Sequence, residues 1–149
     1  EEKFRAAGMT MNFLQDNESK SKKGVLRGLH FQAPPFGQGK LVRVMRGAVL
    51  DVAVDIRKTS PTYGKWDSIV LTSENKWMFW IPAGFAHGFV TLEDDTVFFY
   101  KCTNVYNKAS EGSIIWNDPV LNINWGVTDP LISDKDKCSP GFSEFVSPY

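Results

Sequence analysis

The segment Ala48–Arg57, Ala-Val-Leu-Asp-Val-Ala-Val-Asp-Ile-Arg, alternates with a period of two. Leu50, Val52, Val54 and Ile56 fall on one side, Asp51 and Asp55 on the other. Side chains separate that way only on a strand that buries one face. Similar short stretches recur at 40–46, 66–71, 76–81, 88–92 and 96–102, rich in Val, Ile, Phe, Trp and Tyr. Gly47, Pro61, Gly64, Asn75, Pro82-Ala-Gly84 and Asp94-Asp95 punctuate them. Strands this short at this spacing predict an antiparallel sandwich or barrel. Residues 1–8 are weakly helical. The C-terminal third carries Pro119, Pro130, Pro140 and Pro148 and is expected to wrap the barrel as loops and short helical turns. Asp51 and Asp55 are either a network behind a site or the plain polar side of their strand.

The 149 residues suit one domain, with no repeat or linker. Seventeen basic and seventeen acidic residues cancel, against the basic excess of a nucleic-acid binder. No apolar run is long enough to span a membrane and the opening residues show no signal-peptide h-region, so no membrane partner is expected. Cys102 and Cys138 have neither disulfide-framework nor metal-site spacing and are expected as free thiols in a reducing, cytoplasmic compartment. The run Lys20, Lys22, Lys23 is expected in a solvated turn.

The two histidines sit in distinctive frames. His87 ends Pro82-Ala-Gly-Phe-Ala-His87, the Pro-x-Gly-x-x-His of the cupin barrel. His30 ends Gly24-Val-Leu-Arg-Gly-Leu-His30, the cupin Gly-x5-His, but Gln32 stands where a metal-binding cupin has its second His. Lys40, seven residues before Gly47, occupies the position of the usual metal-binding carboxylate. An ammonium there repels a divalent ion and favours developing negative charge, so no metal is expected.

In longer blocks, 13–32, 38–43, 51–57, 81–90, 99–101 and 110–118, the chain resembles the dTDP-4-dehydrorhamnose 3,5-epimerase family over roughly residues 10–140. The resemblance implies an all-β cupin, a jelly-roll antiparallel β-barrel with short peripheral helices. It implies inversion of carbons 3 and 5 of a dTDP-4-keto-6-deoxyhexose, without a cofactor, in dTDP-L-rhamnose biosynthesis. By position, the general base falls on His30, the carboxylate orienting it on Asp136 of Ser133-Asp-Lys-Asp136, the lysine on Lys40 and the general acid on Tyr100. Substrate contacts fall on Gln15, Asn17, Arg27 and His87, and aromatic positions around the site on Tyr106 and Trp116. Arg27 is the expected phosphate ligand. Family members open with a strand carrying Asp-x-Arg-Gly-x-Phe-x-Glu that crosses to the partner of a homodimer. This sequence begins after it, and that strand is expected to be missing. Two alternatives stay open: an epimerase acting at C3 or C5 alone, and a non-catalytic cupin that binds a sugar nucleotide or a metal.

Overall fold

A computed structural model describes residues 2–149. Ten strands and two short helices make up its regular structure. After helix α1 (Glu2–Ala6) come β1 (Gln15–Ser21), β2 (Val25–Gln32), β3 (Lys40–Arg46), β4 (Ala48–Asp55), β5 (Trp66–Thr72), β6 (Phe79–Ile81), β7 (Phe85–Thr91) and β8 (Thr96–Cys102). A 3-10 turn (Lys108–Ser110) leads to β9 (Glu111–Ser113), and β10 (Leu131–Ile132) to α2 (Asp134–Lys137). One sheet runs β1-β8-β3-β6 and the other β10-β2-β7-β4-β5, with β9 also on β2. Every pairing is antiparallel except β10 on β2. The expected all-β antiparallel architecture is what forms.

The sheets face each other across an interior packed with Val42, Val44 and Phe98 from one and Val49, Ala53 and Phe89 from the other. A second apolar cluster lies outside the larger sheet. There Leu26, Leu29, Val52, Val54 and Ile56 meet Ile114, Leu121, Trp125 and Phe145 of the C-terminal third, which wraps the barrel as expected. The alternation in β4 therefore has a meaning its composition conceals. The aliphatic face turns outward under the C-terminal wrap, and the face bearing Asp51 and Asp55 turns into the barrel, where both are buried.

Strand bounds depart from expectation where turn chemistry intervenes. The stretch 76–81 yields only β6, because the Asn75 carboxamide binds the Thr72 and Trp77 amides and Lys76 takes a positive φ. The expected strand 48–57 stops at Asp55, where the Ile56 amide turns to the Gly84 carbonyl.

One irregularity positions the site. Arg27 pairs with Phe89 and His30 with His87, a register shift within β2. Phe89 faces inward, so Arg27 and His30 both do, although an odd spacing normally separates faces. Gly28 sits in the shift at φ 140°, and a Cβ there would lie 2.5 Å from the Gly88 Cα. Only glycine allows that approach.

Candidate active site

Antiparallel register determines which side chains share the interior. Gln15, Lys40 and Cys102 are cross-strand neighbours, as are Asn17, Val42 and Tyr100. His30 and His87 oppose each other on the facing sheet. On the side of the barrel between β1 and β2–β9, the interior is polar and open. A cavity of about 280 Å³ there is lined by Gln15, Asn17, His30, Lys40, Tyr100 and Tyr106, with Gln32, Gln38 and Glu111. His30 and Tyr100 thus enter one cavity from opposite sheets.

His30 is held from behind. Its Nε2 lies 2.7 Å from Asp136 Oδ1. Asp136 is buried at the end of the outer wrap, and its second oxygen accepts the Gly28 N–H at 3.3 Å. Ser133 caps α2 by accepting the Asp136 N–H, which fixes the carboxylate's approach. Burial pushes the Asp136 carboxyl up, but the His30 hydrogen bond and charge, with the Gly28 and Ser133 contacts, outweigh it and hold it below the ordinary range.

Lys40 forms no ion pair among the described residues. Burial pushes its ammonium down; Cys102, Asp51 and Glu111 oppose that shift. Beneath it, His87 is buried with Nε2 3.0 Å from both Asp51 oxygens. Burial pushes the His87 imidazole down and the Asp51 carboxyl up, and the contact between them opposes both shifts. Burial and Cys102 raise the Tyr100 phenol, against Arg27, so it stays protonated at neutral pH.

The other expected residues divide. Gln15 and Asn17 are joined by a 2.9 Å hydrogen bond, and the Asn17 amide donates to the Cys102 sulfur. Arg27 is exposed, donates to Ser21 Oγ, and lines an adjoining cleft of about 350 Å³ with His30, Lys135 and Asp136. Trp116 does not join the cavity. In a turn beyond β9 it lies against the outer cluster that also holds Ile114, and its carbonyl accepts the Trp125 indole N–H at 2.8 Å. Lys20 pairs with Asp95 at the surface. Asp55 serves a turn rather than the cavity: burial raises it, but hydrogen bonds from Arg57, Ser60 and Thr62 dominate and hold it well below the carboxylate range.

Four lining or neighbouring groups were not among the expected site residues. Glu111 accepts the Tyr106 hydroxyl at 3.1 Å and pairs with Lys135 at 2.6 Å. Gln38 and Cys102 enter only through register. Gln32, noted as standing in place of a metal ligand, spends both amide atoms on backbone groups. With His30 committed to Asp136 and an ammonium at Lys40, the donors do not fit a cupin metal centre. No group of three His, Cys, Asp or Glu able to hold a metal occurs among the described residues. No helix among them is long and apolar enough to cross a membrane.

Known proteins share both sequence and architecture with this chain. The dTDP-4-dehydrorhamnose 3,5-epimerase of Shigella flexneri is 58% identical over 131 residues, 88% of this chain and 72% of that protein. The crystal structure of the Bacillus anthracis enzyme with TDP and PPi bound superposes with a TM-score of 0.93 at 44% identity, covering 95% of this chain and 81% of that one. The Legionella pneumophila dTDP-6-deoxy-D-glucose-3,5-epimerase in complex with dTDP-4-keto-L-rhamnose gives 0.92 at 48% identity, covering 97% and 77%. A sequence model described as dTDP-4-dehydrorhamnose 3,5-epimerase matches residues 1–144, and on these grounds the chain belongs to the dTDP-4-dehydrorhamnose 3,5-epimerase family.

Proposed function

We propose that this chain is a dTDP-4-dehydrorhamnose 3,5-epimerase, inverting C3 and C5 of dTDP-4-dehydro-6-deoxy-D-glucose in dTDP-L-rhamnose biosynthesis. The observation that carries the reading is one cavity lined by an imidazole and a phenol from opposite sheets, together with an ammonium. A proton on carbon beside a ketone leaves because the charge delocalises onto the ketone oxygen, and C3 and C5 both flank C4. His30 takes that proton; with Nε2 turned to Asp136, Nδ1 is the nitrogen left to accept it. Asp136 orients the ring and stabilises the imidazolium. Lys40 holds the enolate oxygen. Tyr100 then protonates the carbon from the opposite face. Each inversion leaves one proton gained on His30 and one lost from Tyr100. Exchange with water resets both, and no hydride moves, so no redox cofactor is required.

Gln15, Asn17, Arg27, His87 and Tyr106 are proposed to hold the substrate, Arg27 through its phosphates. Trp116 packs against the outer cluster and does not line that cavity, so it is left out of this set. A homodimer is proposed on the open outer edge of β1, which among the described residues pairs only with β8. A cytoplasmic setting is proposed because both cysteines are free. His30→Ala tests the function: turnover of the 4-keto sugar nucleotide should fall at least about a hundredfold, and unchanged turnover refutes the reading. Running the reaction in heavy water tests the double inversion. Deuterium should enter at both carbons, and label at one alone assigns a single epimerisation.

A further inference from the structure

The proposal concerns Gln32 and rests on the epimerase reading of the cavity. Gln32 is buried, 5% exposed, at the end of β2. Its amide nitrogen donates to the Phe36 carbonyl at 2.6 Å and the Val105 carbonyl at 3.1 Å. Its amide oxygen accepts the Asn107 N–H at 2.7 Å. Residues 105 and 107 flank Tyr106, so one side chain grips the backbone on both sides of that tyrosine. Two further glutamines complete the grip. The Gln15 oxygen accepts the Tyr106 N–H at 2.7 Å, and Gln38 donates to the Asn104 carbonyl at 2.8 Å. The loop has no strand to hold it: β8 ends at Cys102 and the next turn starts at Lys108. Apart from the Thr103 N–H on the Gly39 carbonyl and the turn from Asn107 to Ser110, its backbone hydrogen bonds go to side chains, most of them these glutamines.

Held this way, Tyr106 presents a ring that is 53% exposed at the cavity mouth, its hydroxyl tied to Glu111. An exposed aromatic face at the mouth of a site for a nucleoside diphosphate sugar suits a planar pyrimidine. Both Gln32 amide donors are committed to the Phe36 and Val105 carbonyls, and its oxygen already accepts the Asn107 N–H. We propose that Gln32 is a positioning residue: by clamping the backbone around Tyr106 it sets affinity for the nucleobase end of the substrate and leaves the proton transfers to other groups. The glutamine at a cupin metal-ligand position is thereby turned from the reacting centre to the rim.

The test compares Gln32→Ala and Gln32→Glu with the unaltered protein, titrating dTDP and, separately, inorganic pyrophosphate. Glutamate keeps the acceptor for Asn107 but sets a carboxylate against two carbonyls, so it separates loss of the clamp from loss of bulk. dTDP affinity should weaken at least about tenfold in both variants, with pyrophosphate affinity changed less than about twofold. KM for the sugar nucleotide should rise about as much as dTDP affinity falls, and kcat should fall less than KM rises. In a Tyr106→Ala background, Gln32→Ala should add little, because it acts through the ring already removed. Equal losses for dTDP and pyrophosphate, full additivity with Tyr106→Ala, unchanged dTDP affinity, or no dTDP binding by the unaltered protein would each overturn the proposal. An unaltered protein that binds dTDP yet fails to epimerise removes the functional reading alone.

Discussion

Asp136 reaches back across 106 residues of chain to set Nε2 of His30 at 2.7 Å from its own Oδ1. The carboxylate arrives on the last helical turn of the C-terminal wrap, whereas the imidazole belongs to a central strand. Asp136→Asn keeps the shape and removes the charge that stabilises imidazolium. It should lower kcat by about 10²-fold or more with a smaller effect on KM, measured by steady-state kinetics. The same residue has a signature in stability. Its folded-state carboxyl lies below its ordinary value of 3.8, so the unfolded chain binds the proton first. The stability it adds is complete above about pH 4 and is lost as pH falls through the folded value. Asp55 behaves the same way. Urea midpoints followed downward from pH 5 should fall less steeply in Asp136→Asn than in the unaltered protein.

Lys40 should shape the alkaline loss of activity. Burial holds its ammonium below the ordinary 10.5 and pushes the Tyr100 phenol above 10.0. As pH rises, deprotonation of Lys40 removes the charge that steadies the enolate. The alkaline limb of kcat/KM should lie below 10.5 and move upward in Lys40→Arg, whose charge persists. Lys40→Met should lose about 10²–10³-fold in kcat, the scale of one lost oxyanion-stabilising donor.

Tyr100→Phe separates proton removal from proton return. His30 and Asp136 remain, so solvent deuterium should still exchange into the substrate with retention. Net inversion should fall about 10²-fold or more. NMR of the sugar after incubation in heavy water distinguishes the two, and parallel loss of exchange and inversion would remove the phenol from the role of acid.

Gly28→Ala tests the register shift that brings Arg27 and His30 onto one face. The added Cβ meets the Gly88 Cα at 2.5 Å from a backbone at φ 140°. Strain and overpacking together should cost about 3 kcal/mol, a drop in Tm on the order of 10 °C in thermal unfolding. Activity should fall further than stability alone explains, because His30 moves with the backbone.

The legibility of this chain followed where apolar side chains lie. Strands β3, β4, β5, β7 and β8 carry alternating Val, Ile and Phe and announced themselves. β1 did not: Gln-Asp-Asn-Glu-Ser-Lys-Ser contains no apolar residue, because its inward face lines the polar cavity and its outward face meets solvent. The alternation in β4 gave the strand but not its orientation, since the aspartate face points inward. His30, Lys40 and Tyr100 were identified from motif frames and share a cavity. Trp116 was assigned from the same kind of match, yet it sits in a turn beyond β9 that packs on the outer cluster. The loop grip by Gln15, Gln32 and Gln38 had no signature, because it depends on where a nonregular segment passes over the wall.

The C-terminal wrap does two jobs at once. It roofs the larger sheet with Leu121, Trp125 and Phe145, and it delivers Asp136. Peeling it away would leave two hydrogen-bonded sheets standing with an imidazole no longer oriented. In mild denaturant, enzymatic competence should therefore vanish before the β-sheet circular dichroism does, making the tail the place where folding and chemistry become a single event.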